Sequence, residues 1–168
     1  MNIVGLMIGK KNSSGVPGKN ISIVLGKRLC EYPLIAAKNT KMISEIFVST
    51  NCPTIEEVGN EYGCRIINRP KEHDEPDTLT EDVLSHAHKE IKMRHEGAID
   101  YYVLLYANGA FIDSDLIKNA ITKLENNPTF DSCVGAVSAD MFTPIRAKTI
   151  SPNGELKPFV DLTYFGDI

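Results

Sequence analysis

The spacing of apolar and polar positions divides the chain into alternating strands and helices. Ile3–Ile8 is a short apolar run suited to a strand buried on both faces. A loop from Gly9 to Asn20, dense in Gly, Ser, Lys and Pro, separates it from a helix predicted over Pro33–Lys41, which carries Leu34, Ile35 and Ala37. Glu45–Thr50 reads as a second strand. Pro53 then opens a helix whose stripe is Ile55, Val58, Gly59 and Tyr62, and Gly63 ends it. Arg65–Asn68 is a third, short strand. A polar loop over 69–79 leads to a helix beginning near Thr80, with Val83, Leu84, Ala87 and Ile91 at helical spacing.

Tyr101–Tyr106, uniformly apolar and aromatic, has the profile of a central parallel strand. Asp113 or Ser114 caps a helix that runs to Asn126 with Leu116, Ile117, Ala120, Ile121 and Leu124 inward. Ser132–Val137 reads as a further buried strand. Beyond it, Pro144, Pro152 and Pro158 break the rhythm into short extended pieces. Five strands with helices between them predict an α/β fold, a three-layer, doubly wound, mostly parallel sheet. The core is expected over 1–140 and an extension over 141–168. Phe159, Val160, Leu162 and Phe165 need a partner surface, so the sequence reads as the front part of a longer protein.

Composition narrows the class. With 168 residues, 42% hydrophobic and 24% charged, the chain matches an ordinary globular domain rather than a disordered one. No apolar run approaches the ~20 residues that span a bilayer, and the first lysines follow the initial apolar run, the reverse of a secretory signal. A net charge of −4 without a basic stripe argues against a dedicated nucleic-acid binder. A cytoplasmic location is the expectation. Cys30, Cys52, Cys64 and Cys133 form no C-x-x-C pair and read as structural, with Cys64 and Cys133 as small core hydrophobes. His86 and His88 lie two apart, on different faces of a helix, which is not a ligand spacing.

The chemistry concentrates in GKKNSSGVPGKN, residues 9–20, directly after the first strand. Loops at the carboxyl ends of parallel strands expose backbone N–H groups to ligands. Here three glycines allow close approach, Ser13 and Ser14 add hydroxyl donors, and Lys10, Lys11 and Lys19 add positive charge. The combination reads as a phosphate cradle; a solvated basic turn is the plainer alternative. A Walker loop is excluded, because Ser13 stands where its first Gly belongs and Asn20 where its Ser or Thr belongs. The dinucleotide fingerprint is excluded because the glycines fall at 9, 15 and 18 and the loop runs on into Ile21–Leu25.

Taken in order, these segments resemble the acylneuraminate cytidylyltransferases, the CMP-sialic acid synthetases and their relatives. Their opening motif R-x-G-S-K-x-x-x-x-K-N falls on Lys10, Asn12, Ser13, Ser14, Lys19 and Asn20. LGKRL at Leu25–Leu29 is similar to the family's L-x-G-K-P-L, and IFVSTN at Ile46–Asn51 to its V-V-S-T-D strand end. Glu56–Pro70 resembles its helix–strand–Arg-Pro segment, Thr78–Ala87 its Ser/Thr-rich helix start, and Val103–Ile117 its L-L-Q-P-T-S-P strand with the next helix. The signal is the collinearity of modest matches along nearly the whole chain.

The resemblance implies the nucleotide-diphospho-sugar transferase type of fold, with a protruding dimerisation segment near the C-terminus. It implies transfer of CMP from CTP to an acidic, nonulosonic sugar with release of pyrophosphate, in a homodimer that uses Mg2+. Carried over by position, Lys10 and Lys19 are the catalytic pair that neutralises triphosphate charge. Gly9, Lys11, Ser13 and Ser14 belong to the nucleotide loop. Asn20, Arg69 and Thr80 hold cytosine and ribose, and Asn108 faces the sugar. Arg69 could equally form a rim ion pair with Glu72 or Asp74, and Thr80 a plain helix cap. Several positions depart from the pattern: Lys10 replaces an Arg, Ser14 a Lys, Tyr106 a Gln and Asn51 an Asp. The family's magnesium aspartates have no counterpart up to Ile168, so no metal ligand is identified in this sequence. A non-catalytic nucleotide or sugar-phosphate binding module, or an inactive truncated form, is the second reading. A dinucleotide-binding oxidoreductase is the third.

Overall fold

The computed structural model describes residues 1–11, 15–73, 78–138 and 147–160. The first unit, Met1–Cys133, is built on a four-stranded parallel sheet. Its strands are β1 (Ile3–Gly9), β4 (Glu45–Thr50), β5 (Arg65–Asn68) and β6 (Tyr101–Tyr106) in the spatial order β5-β4-β1-β6. A two-stranded antiparallel hairpin of β2 (Ile23–Val24) and β3 (Lys27–Arg28) stands apart from that sheet. Four helices complete the unit: α1 (Glu31–Thr40), α2 (Pro53–Glu61), α3 (Thr80–Arg94) and α4 (Ser114–Glu125).

Local chemistry sets the helix ends. The Asp113 carboxylate accepts from the Leu116 backbone N–H at 2.7 Å and starts α4, as expected of an N-cap. Pro53 is the first residue of α2, and Gly63, at φ 65°, follows its end. At α3 the cap position is Leu79, which makes no side-chain bond, so Thr80 is the first helical residue and not the cap.

Strand alternation then sorts the core into two layers. Ile3 and Met7 of β1, with Val48 and Leu105, face Leu34 and Ala37 of α1, Ile55 and Val58 of α2, and Ile117 and Ile121 of α4. Val4 and Leu6 face the other way with Phe47 and Ile67, against Ala87 and Ile91 of α3. Full burial of a residue such as Leu34 or Ile55 contributes about 1.5–3 kcal/mol. The three-layer parallel architecture therefore holds, with three helices on one face and one on the other.

Two strand expectations are corrected. Among the described residues Tyr101–Tyr106 is not central: β1 is paired on both sides and β6 on one. An all-apolar run looks the same at either position, and only α3 covers the face bearing Tyr102, which stays 38% exposed. Residues 132–138 contain no strand, and Val134 and Val137 are 82% and 88% exposed. High β-propensity becomes a strand only where a neighbouring strand completes the ladder, and among the described residues none does.

The second unit, Val134–Ile168, contains the hairpin of β7 (Lys148–Ile150) and β8 (Leu156–Pro158), closed by a turn with Gly154 at φ 83°. These are the short extended pieces expected there; Pro144, Leu162 and Phe165 lie outside the described residues.

Cys30, Cys52 and Cys64 are buried, and desolvation pushes the Cys30 and Cys64 thiols up to about 11, so they stay protonated and structural. Cys133, expected in the core, is only partly buried.

A polar cluster ties the amino-terminal ends of β1 and β4 together. Asn2 Nδ2 bonds His95 Nε2 at 2.7 Å, which leaves Nδ1–H of His95 to donate to Glu45 Oε2 at 2.9 Å, while Arg65 donates to Glu45 Oε1 at 3.0 Å. Burial alone would raise the Glu45 carboxyl, but these two donors outweigh it and hold it below its ordinary value. A carboxyl depressed in the folded state adds stability above its unfolded pKa and loses it as pH falls through the folded value. Glu45→Gln should therefore lower Tm at pH 7, and its deficit against wild type should shrink in melts taken below the 4.5 of a free glutamate.

Candidate nucleotide cleft

Because the four sheet strands are parallel, the residues that follow them emerge along one edge. There Gly9 at the end of β1 and Lys10 after it, Arg69 after β5, and Tyr106 at the end of β6 with Asn108 beyond it line an open cleft of about 210 Å³ with Lys19, Asn20, His73, Thr78 and Thr80. Of the residues singled out in the sequence, Gly9, Lys10, Lys19, Asn20, Arg69, Thr80 and Asn108 are brought together. Lys11 is exposed and does not line the cleft; its backbone N–H donates to Asn51 Oδ1 at 3.1 Å, so Asn51 anchors the start of the loop. Ser13 and Ser14 lie outside the described residues.

Asn20 sits in a one-turn 3-10 helix, Lys19–Ile21, entered through Gly18 at φ 68°, a left-handed conformation that favours glycine. Asn20 is buried at 7% exposure. Its Nδ2 donates to the Lys10 carbonyl at 3.1 Å, which orients the amide, and its Oδ1 is buried with no hydrogen-bond partner among the described residues. A buried acceptor left open in this way costs about 1–3 kcal/mol until a donor arrives. The Cys30 backbone N–H bonds the Asn20 carbonyl at 2.9 Å and fixes the turn to the start of α1.

Arg69 is held by main chain: its N–H bonds Thr50 O at 3.2 Å and its Nη2 donates to Ser49 O at 3.0 Å. Asp74, one of its two expected rim partners, lies outside the described residues. Thr80, freed from capping, lines the cleft at the first turn of α3.

Gly9 also meets a packing constraint that the sequence does not show. A Cβ there would lie 2.8 Å from Ala107 Cβ and 3.0 Å from Ile55 Cδ1, so the glycine permits core packing beneath the cleft.

Lys10, Lys19 and Arg69 give the lining three cations, and its described residues include no carboxylate. This suits a polyanion. Among the described residues no group of three or more His, Cys, Asp or Glu could hold a metal, so these residues do not fit a magnesium site. His73, Thr78 and Tyr106 also line the cleft. His73 escaped notice because a lone histidine in a polar loop carries no spacing signal.

The sheet and cleft define an α/β domain with a cationic pocket at the carboxyl ends of its strands. A family model described as cytidylyltransferase matches residues 10–154, and the chain belongs to that family. It is 25% identical over 132 residues to a bifunctional pseudaminic acid cytidylyltransferase and UDP-2,4-diacetamido-2,4,6-trideoxy-beta-L-altropyranose hydrolase of Helicobacter pylori, a match covering 78% of this chain and 25% of that protein. It is 27% identical over 171 residues to the CMP-N,N'-diacetyllegionaminic acid synthase of Legionella pneumophila, covering 98% of this chain and 71% of that one. The fold is shared with a CMP:2-keto-3-deoxy-manno-octonic acid synthetase complexed with CTP, at a TM-score of 0.61 and 19% identity over 77% of this chain and 50% of that structure.

Gly9→Ala should lower stability by about 1–3 kcal/mol, the usual cost of overpacking, although alanine is normally the less costly residue to order. Urea denaturation monitored by circular dichroism measures this, and an unchanged midpoint would mean that Ala107 and Ile55 can move aside.

Proposed function

We propose that the chain is the nucleotide-binding part of a cytidylyltransferase that transfers CMP from CTP to an acidic, nonulosonic sugar and releases pyrophosphate. The observation that carries the reading is the pairing of Lys10, Lys19 and Arg69, in a lining whose described residues include no carboxylate, with the open Asn20 acceptor. A triphosphate offers only acceptors to the cations, whereas a nucleoside offers hydroxyl and amino donors to Asn20 Oδ1. Polyanion and nucleoside therefore satisfy different parts of one cleft. The names of the curated relatives supply the sugar class.

In this reading Lys10 and Lys19 hold the triphosphate, with Gly9, Lys11, Ser13 and Ser14 in the same loop. Asn20, Arg69 and Thr80 hold cytosine and ribose, and Asn108 faces the sugar. The sugar's anomeric hydroxyl attacks the α-phosphorus in line and loses its proton as the bond to pyrophosphate breaks. The chain's contribution is positioning and charge neutralisation. Lys10 supplies charge without the two-pronged grip of an arginine. No step is assigned to magnesium; the substrate is taken as the magnesium complex of CTP.

The setting is inferred to be cytoplasmic, since no helix among the described residues is long and apolar enough to cross a membrane. A homodimer is inferred from the β7–β8 hairpin and its flank, where Ile150, Leu156 and Phe159 are 75%, 64% and 63% exposed. Phe159→Asp should shift the protein toward monomer in sedimentation experiments; a monomeric wild type would remove this part of the reading.

Thermal melts test the nucleotide. Magnesium CTP should raise Tm more than the ATP, UTP or NAD equivalents, because a ligand that binds only the native state stabilises it by mass action. Lys19→Ala should weaken CTP about 10- to 100-fold, the loss of one charged hydrogen bond, whereas Lys123→Ala, on α4, should change it less than about twofold. Equal shifts by all nucleotides would defeat the cytidine assignment. CTP binding without pyrophosphate release from any nonulosonic acid would favour a binding module.

A further inference from the structure

Part of the cleft lining is apolar: Ile8, Val83 and Tyr106 contribute to it, and Tyr106 is 49% exposed. Strand geometry accounts for the grouping. Ile8 and Tyr106 are register partners on β1 and β6, so their side chains leave the sheet on one face, the face that α3 covers. The Ala107 N–H bonds Ile8 O at 3.0 Å, which carries the pairing one residue past β6. Ala107 itself is buried in the opposite layer, the one that holds Leu34 of α1, and its two neighbours Tyr106 and Asn108 both line the cleft. A tight turn fixes that pair. The Gly109 N–H bonds Tyr106 O at 2.8 Å, the Ala110 N–H bonds Asn108 O at 3.0 Å, and a Cβ at Gly109 would come within 3.1 Å of Tyr106 O. Asn20 belongs to the other side, since Ile21 beside it packs in the α1 layer.

We propose that Tyr106 determines acceptor specificity: its ring is a shelf for an apolar face of the sugar, and the cleft favours deoxy, N-acylated acids over fully hydroxylated ones. The inference rests on the reading of the cleft as a cytidylyltransferase site in which Asn108 faces the sugar. An aromatic face packs well on C–H groups and methyls but offers a hydroxyl little in return. A hydroxyl pressed against Ile8, Val83 and the Tyr106 ring gives up water without a replacement bond, whereas a methyl in the same place gains from burial. An acetamido group suits Tyr106 and Asn108 together, its methyl on the ring and its N–H or carbonyl on the Asn108 amide. A glutamine at 106 would act in the opposite sense, because its amide both donates to and accepts from hydroxyls.

Product binding separates this role from a structural one and does not depend on turnover. Calorimetry compares CMP, CMP-N-acetylneuraminic acid and CMP-N,N'-diacetyllegionaminic acid on wild type, Tyr106→Phe and Tyr106→Gln. The second sugar carries an acetamido group and a terminal methyl where the first carries hydroxyls. CMP has no sugar acid and should bind all three proteins within about twofold. Wild type should prefer the legionaminic over the neuraminic conjugate by about three- to tenfold, the range of an aromatic contact. Tyr106→Phe, which keeps the ring, should retain that preference, and Tyr106→Gln should lose or reverse it. Equal binding of both conjugates by wild type would overturn the proposal, as would a preference that survives in Tyr106→Gln or disappears in Tyr106→Phe. So would a loss of CMP affinity in Tyr106→Gln as large as its loss of sugar preference, because the ring would then serve the nucleotide or the fold. A wild type that binds no CMP would instead defeat the nucleotide reading, and this inference would fall with it.

Discussion

Parallel pairing of β1 with β4 on one side and β6 on the other is the constraint from which the site follows. Register matches Gly9 with Thr50 and Ile8 with Tyr106, so the strands finish level and their following residues meet. A parallel sheet cannot turn back by a hairpin. Its crossovers run through helices and return each chain segment to the same starting edge. The two edges of the sheet therefore differ in kind. Asn2, Glu45, Arg65 and His95 gather at the amino-terminal edge and neutralise one another. At the carboxyl edge Lys10, Lys19 and Arg69 line one cleft whose described residues include no carboxylate.

That imbalance has to be maintained against the cohesion of the fold. Among the described residues, backbone groups and amides orient the cleft. Arg69 is steadied by the Ser49 carbonyl, the Lys10 carbonyl by the Asn20 amide, and the start of the loop by Asn51. The first two bonds orient residues of the cleft itself, and the third fixes the loop that follows β1. The buried Asn20 oxygen is the counterpart on the neutral side, an acceptor whose partner the described chain does not supply. Membership of the cytidylyltransferase family and this division between charged and neutral subsites are independent observations, and both favour a nucleotide.

Much of the site was readable along the chain because its parts are local. Gly9, Lys10, Lys19 and Asn20 come from a single loop, and Arg69, Thr80 and Asn108 each follow or begin a strand or helix that periodicity marks. What escaped were residues whose role depends on a neighbour distant in sequence. His73 lines the cleft with Arg69 and Thr80 and packs against His86, and no spacing rule links these. A packing reason for Gly9 escaped too: the atoms that exclude a side chain belong to Ile55 and Ala107, distant in sequence.

By itself the order of residues determined the alternation of strands and helices, the parallel sheet and the loop bearing the cations, because hydrophobic period and turn chemistry act over a few residues. Only the tertiary structure decided which strand is central, whether 132–138 pairs, and which polar atoms remain open. Strand order and residual hydrogen-bonding capacity are properties of neighbours in space. Two apolar runs differ little in composition, yet among the described residues β1 is flanked on both sides and β6 on one.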